Sequence, residues 1–134
     1  MSYSNKHLFV KTFPEHDFGA GAEIYSFRLP LNEHGVAMKG RLVNAGVHIT
    51  ETFANDQGGG TLQIGTAADN DAYALVNIAD GAADEDCYDV TDDTDAILKK
   101  NIAAGTLIEV NCTQSTDSST AAGKGMPFVE IYCW

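Results

Sequence analysis

Apolar and polar positions alternate with a period of two wherever the chain shows a regular pattern, which is the mark of half-buried β-strands. In residues 23–29, Tyr25, Phe27 and Leu29 share one face while Ser26 and Arg28 share the other. Residues 36–49 form a long apolar run with Gly40 and Gly46 inside it. Glycine within a strand pattern marks a bulge or bend, so this run predicts one bent strand or two short ones. Residues 61–65, 106–111 and 127–134 repeat the alternation, the last with Val129, Ile131 and Cys133 set against Glu130 and Tyr132. Turn-forming composition separates these runs at 30–35 and at 55–60, where glycine supplies positive φ and Asn or Asp tolerates it. The pattern weakens between Thr66 and Lys100, where 72–78 and 95–100 are expected as helical turns and 87–90 as a short strand. Residues 113–125, rich in Ser, Thr, Ala and Gly, read as an exposed, mobile hairpin loop.

Short strands, Gly/Asn/Asp turns and no long amphipathic helix predict an all-β fold: an antiparallel β-sandwich, jelly-roll-like, with short helical turns. At 134 residues the chain suits one domain, and its 44% hydrophobic content argues that it folds. The sandwich is expected over 23–134. Residues 1–22 contain Leu8, Phe9, Val10, Phe13 and Phe18 without enough periodicity for a core of their own, and read either as an N-terminal arm or as the first strand.

Charge narrows the function. The formal net charge is −11, and no Lys or Arg lies between Leu42 and Leu98, a stretch that carries twelve carboxylates. Nucleic-acid affinity rests on Lys and Arg neutralising phosphates, so no nucleic-acid partner is expected. No apolar run approaches the 18 or more residues of a membrane span, and the first residues lack the apolar core of a secretory signal, so no membrane partner is expected and the chain is expected in a cytosol. Cys87, Cys112 and Cys133 are odd in number and widely spaced, a poor disulfide framework and a poor zinc site; buried, reduced thiols are expected.

Candidate chemistry is sparse. His7, His16, His34 and His48 have no metal-ligand spacing, and no catalytic motif is present, so no catalytic residue is assigned and the chain is expected not to be an enzyme. Asp69-Asn70-Asp71 and Asp92-Asp93-Thr94-Asp95 have the oxygen density calcium favours but not the spacing of a calcium loop, and read as solvated turn residues. Gly58-Gly59-Gly60 lacks the Gly-Lys-Ser/Thr ending of a phosphate loop. No metal and no cofactor is assigned.

The segment Glu23-Ile24-Tyr25-Ser26-Phe27-Arg28-Leu29-Pro30, the strand through Val47-His48-Ile49-Thr50, and Gly60-Thr61-Leu62-Gln63-Ile64-Gly65-Thr66-Ala67-Ala68-Asp69-Asn70-Asp71-Ala72-Tyr73 together resemble capsid decoration (cement) proteins of tailed bacteriophages. Residues 103–110 and 128–134 resemble the later strands of that group. The resemblance implies a jelly-roll or related sandwich in the virion, made in the host cytoplasm, that binds the major capsid protein on the capsid surface as a homotrimer. A tail or fibre module that binds host glycans is the alternative. The resemblance supplies no functional residue. The apolar residues that the sequence leaves for partner binding are Leu8, Phe9, Val10, Phe13 and Phe18. A large net charge keeps such a part soluble before assembly. The acidic stretch 69–95 is expected to face solvent, with Lys6, Lys11, Lys39 and Arg41 nearer the partners.

Overall fold

The computed structural model of the protein describes residues 7–54, 60–79, 81–82, 87–93, 97–98, 101–113 and 122–134. Among the described residues there are eleven strands and no helix. In chain order they are β1 (His7–Thr12), β2 (His16–Asp17), β3 (Glu23–Phe27), β4 (Gly40–Ala54), β5 (Gly60–Gly65), β6 (Ala74–Ile78), β7 (Cys87–Asp89), β8 (Ile97–Leu98), β9 (Asn101–Ile102), β10 (Ile108–Thr113) and β11 (Ala122–Cys133). One sheet, A, runs β1-β11-β4-β7, with β2 also on β11 and β9 also on β4; the other, B, runs β3-β10-β5-β6-β8. Every pairing between them is antiparallel. The protein is an antiparallel β-sandwich.

Alternation decides which residues fill the space between the sheets. Leu42, Val47, Ile49, Val129 and Ile131 from sheet A meet Leu62, Ile64, Val76, Ile108 and Val110 from sheet B in one buried cluster. The long run with internal glycines proves to be a single strand, β4, of fifteen residues. Its pairing with β11 shifts register at three places, and at one of them Val43 is the extra residue between Leu42, opposite Ile131, and Asn44, opposite Glu130. Such bulges add twist and bend to a long strand, which lets β4 stay with β11 along most of its length. Gly46 is where β7 comes in: a Cβ there would collide with the carbonyl oxygen of Tyr88 and the backbone of Asp89.

Two expectations need correction. Residues 72–78 are not a helical turn: Ala74–Ile78 is strand β6, with Ala74, Val76 and Ile78 buried and Asn77 exposed. The helix preference of alanine yields there to pairing with β5 and to burial of alternate side chains. In 95–100, Ile97–Leu98 is strand β8 and the remaining residues lie outside the described ones. Within the span 113–125, expected as a loop, Thr113 belongs to β10 and residues 122–125 to β11, and residues 114–121 lie outside the described residues. In the N-terminal segment, His7–Thr12 forms β1, paired with β11 from Cys133 to Phe128, and residues 1–6 lie outside the described residues.

Candidate protein-interaction surface

Alternation along β1 divides the N-terminal apolar residues between two faces. Phe9 turns inward, its ring 6.0 Å from that of Phe27. Phe13 is 5% exposed and packs on Tyr25 and Phe27 at 5.2 and 5.7 Å. Phe18 is fully buried, 4.8 Å from His16 and 5.0 Å from Phe53. Of the five residues expected to meet a partner, Phe13 and Phe18 are therefore taken up by the protein's own core, and Phe9 packs against it. The reason is geometric: Phe9 and Phe13 pack against Tyr25 and Phe27 of β3, and Phe18 packs against Phe53 of β4.

Leu8 and Val10 face the other way, 52% and 53% exposed on the outer side of sheet A. Leu8 lies opposite Tyr132 and Val10 opposite Glu130 on β11, while Tyr132 in turn lies opposite Arg41 on β4. With Tyr132 41% and Val43 38% exposed, an apolar strip crosses three adjacent strands, bordered by Arg41 and Glu130. Further along the same face Phe128 is buried under the imidazole of His48, which stacks on it at 4.6 Å. The outer side of sheet B carries Ser26 opposite Glu109, and Ile24, 56% exposed, opposite Asn111, which is itself buried. Contiguous apolar surface on a soluble domain marks an interaction site more often than scattered single residues do. Tyr132 and Val43 were not among the expected contacts. The outward position of Tyr132 is legible in its alternation with Ile131 and Cys133, but the strands beside it are not.

Three of the four cations expected near partners lie among the described residues. Arg41 borders the strip and Lys11 stands on β1, its ammonium 5.9 Å from the ring centre of Phe13. Lys39 exchanges backbone hydrogen bonds with Trp134, its N–H donating at 2.9 Å and its carbonyl accepting at 3.0 Å. Lys6 lies outside the described residues.

The acidic segment does a different job. The Asp89 carboxylate accepts from the Thr91 hydroxyl at 2.6 Å, the Thr91 N–H at 2.8 Å and the Asn44 amide at 3.1 Å. Asp92 accepts from the Asp89 N–H at 3.0 Å, and Asp93 from the Asn77 N–H at 2.6 Å. These carboxylates fasten a turn and tie β7 to β4 and β6, as short acidic side chains do in loops. Among the described residues no group of three His, Cys, Asp or Glu gathers as metal ligands do. Asp84, Glu85, Asp86 and Asp95 lie outside the described residues.

Burial raises the pKa of the Asp89 carboxyl, but the hydrogen bonds from Thr91 and Asn44 outweigh it and hold the group below its ordinary value of 3.8. A carboxylate with a depressed folded-state pKa stabilises the fold above the unfolded pKa, and that contribution is lost as pH falls through the folded value. Asp89→Asn is therefore expected to lower stability at neutral pH, with the gap to the unaltered protein narrowing below about pH 4. Urea unfolding from pH 7 down to pH 3 measures this; a gap independent of pH would show that the charge on Asp89 contributes nothing.

Cys112 and Cys133 are buried thiols as expected, whereas Cys87 is exposed on β7, the last described strand of sheet A. Burial and then the charge of Glu23 push the Cys112 thiol up to about 12. Partial burial, then Asp89, Asp92 and Glu130, raise Cys87 as well, which leaves it a poor thiolate at neutral pH. Among the histidines, a ring nitrogen of His16 is 3.0 Å from the Gly21 carbonyl oxygen, and exposed His34 is 3.6 Å from Glu33.

No known protein family matches this chain, and neither characterised proteins nor solved structures give a match.

Proposed function

We propose that the protein is a non-enzymatic structural part of a virion: a decoration protein that binds the outer surface of a tailed-phage capsid lattice, three copies grouping around a local threefold axis. The observation that carries a protein-binding role is the apolar strip Leu8, Val10, Tyr132 and Val43 on the outer face of sheet A. The capsid as partner rests on the sequence resemblance. The fold supports a jelly-roll reading. Counting β1, β3, β4, β5, β6, β7, β10 and β11 in chain order from 1 to 8, the two sheets read 1-8-3-6 and 2-7-4-5. That order is what two interleaved Greek keys produce, and it is the arrangement of jelly-roll head proteins.

In this reading the outer face of sheet A lies on the shell, and Asp69 and Asp71, on the β5–β6 connection of sheet B, face solvent. The test is occupancy on purified capsids that lack the protein, at fixed salt. The double variant Leu8→Ser with Tyr132→Ser is expected to reduce occupancy at least tenfold, because two desolvated side chains each contribute about 1 kcal/mol or more at an interface. Asp69→Asn with Asp71→Asn is expected to leave it within twofold. The reverse pattern would make the acidic loop the docking face and refute this orientation; no binding by the unaltered protein would refute the capsid reading.

A further inference from the structure

Arg41 and Glu130 lie on adjacent strands on the outer face of sheet A, and neither forms an ion pair among the described residues. Tyr132 is opposite Arg41, while the register shift places both Val43 and Asn44 beside Glu130. The side chains here form a square, with the two charges on one diagonal and the apolar pair Tyr132 and Val43 on the other. Diagonal neighbours in an antiparallel pair are about 7–8 Å apart, which two long side chains can span. Asn44 is turned to another partner: its amide donates to Asp89 at 3.1 Å, and Asp89 is further held by Thr91. These neighbours leave the guanidinium of Arg41 and the carboxylate of Glu130 with their charges unmatched.

An apolar centre alone accepts a partner in many registers. Opposite charges fixed beside it accept one arrangement and repel the inverted one, which is how polar groups give an interface its specificity. Tyr and Arg are also the side chains most often found where binding energy concentrates. Resting on the capsid reading above, we propose that Arg41 and Glu130 set the register of docking: the capsid surface that covers the strip places a carboxylate against Arg41 and a cation against Glu130, with apolar side chains over Tyr132 and Val43.

The net charge of −11 favours a partner that is basic as a whole. The screening length of roughly 8 Å at physiological salt nevertheless leaves the fit at the strip to the groups beside it. Other charges on this face are already engaged, Asp89 by Asn44 and Thr91, and Lys124 by Glu51 at 3.6 Å.

The test exchanges the two charges. Arg41→Glu with Glu130→Arg keeps the net charge at −11, because one change restores what the other removes. Occupancy on purified capsids that lack the protein is expected to fall about tenfold or more at physiological salt, since the exchange sets like charge against like. In 1 M salt, where the screening length is about 3 Å, the loss is expected to shrink to about twofold. Arg41→Gln with Glu130→Gln removes attraction without adding repulsion and is expected to lose less than the exchange; it also keeps the test decisive if the exchange disturbs folding, which urea midpoints reveal.

Full occupancy by the exchanged variant, with Leu8→Ser plus Tyr132→Ser still reducing it, would overturn the proposed register and leave the docking face standing. A loss that ignores salt would overturn the register too. No binding by the unaltered protein would overturn both the register and the capsid reading. Sedimentation velocity on the free chain covers the remaining occupant: a dimer that Arg41→Glu alone dissociates would put a second copy on the strip and overturn the proposal.

Discussion

Phe53→Ala is expected to cost about 3–5 kcal/mol of folding stability, the usual range for emptying a fully buried aromatic site. Phe53 is 0% exposed near the C-terminal end of β4, with the ring of Phe18 at 5.0 Å on one side. On the other side Gly123 lies so close that a Cβ there would sit 2.6 Å from two atoms of the Phe53 ring. The backbone around it is held as well: the Phe53 N–H donates to the Ala82 carbonyl at 2.8 Å and its own carbonyl accepts from the Gly81 N–H at 2.7 Å. Flanking hydrogen bonds of this kind limit collapse into the vacated space, which favours the upper part of the range. Urea unfolding at neutral pH measures the loss. Phe53→Leu, which refills most of the volume, is expected to recover more than half of it. A loss below about 1 kcal/mol for Phe53→Ala would be typical of an exposed position and would exclude the packing described at this end of the sandwich.

Much of this fold is legible in the chain because alternation is a local signal. Tyr25 and Phe27 against Ser26, Leu62 and Ile64 against Gln63, and Ile131 and Cys133 against Tyr132 each state a strand and its buried face without reference to anything distant. Residues 72–78 are misleading for a local reason too. Two alanines raise the apparent helix preference, and the informative alternation of Ala74, Val76 and Ile78 is too short and too uniformly apolar to stand out from a helical turn. What no local pattern carries is the pairing of strands. Leu8 belongs to a surface only because β11 brings Tyr132 beside it and β4 brings Arg41 beside Tyr132, at sites far along the chain. The same holds for Phe13 and Phe18. Their apolar character is plain from sequence, but whether such rings seek a partner or their own core depends on β3 and Phe53 lying within reach. The hydrogen bonds of Asp89 and Asp92 are the local counterpart: acidic turn residues were expected, and turn fastening is what they do.

Gly46→Ala is expected to be among the most damaging single-methyl additions the chain can receive. Gly46 pairs with Asp89 of β7 on one side and with Phe128 of β11 on the other. An added Cβ meets the Tyr88 carbonyl oxygen, with the Asp89 Cα and Cβ at 2.8 Å. Two of those atoms are backbone, so the clash is not relieved by turning a flexible side chain, and β7 has to move away from β4. That displacement lengthens the Asn44–Asp89 hydrogen bond and loosens the turn that Thr91 and Asp92 fasten. Overpacking of this kind costs about 1–3 kcal/mol, and the coupled loss of pairing puts Gly46→Ala at the upper end. Gly105→Ala is the appropriate control. Its φ of 78° strains any L-residue, yet a Cβ there meets nothing within 4 Å. Its expected cost is therefore about 1 kcal/mol, from backbone conformation alone. Urea midpoints rank the two variants. Hydrogen exchange separates the mechanisms, since only Gly46→Ala is expected to speed exchange at the amides of Cys87, Tyr88 and Asp89. Equal costs for the two glycines, with β7 protection unchanged, would show that β7 does not rest on Gly46.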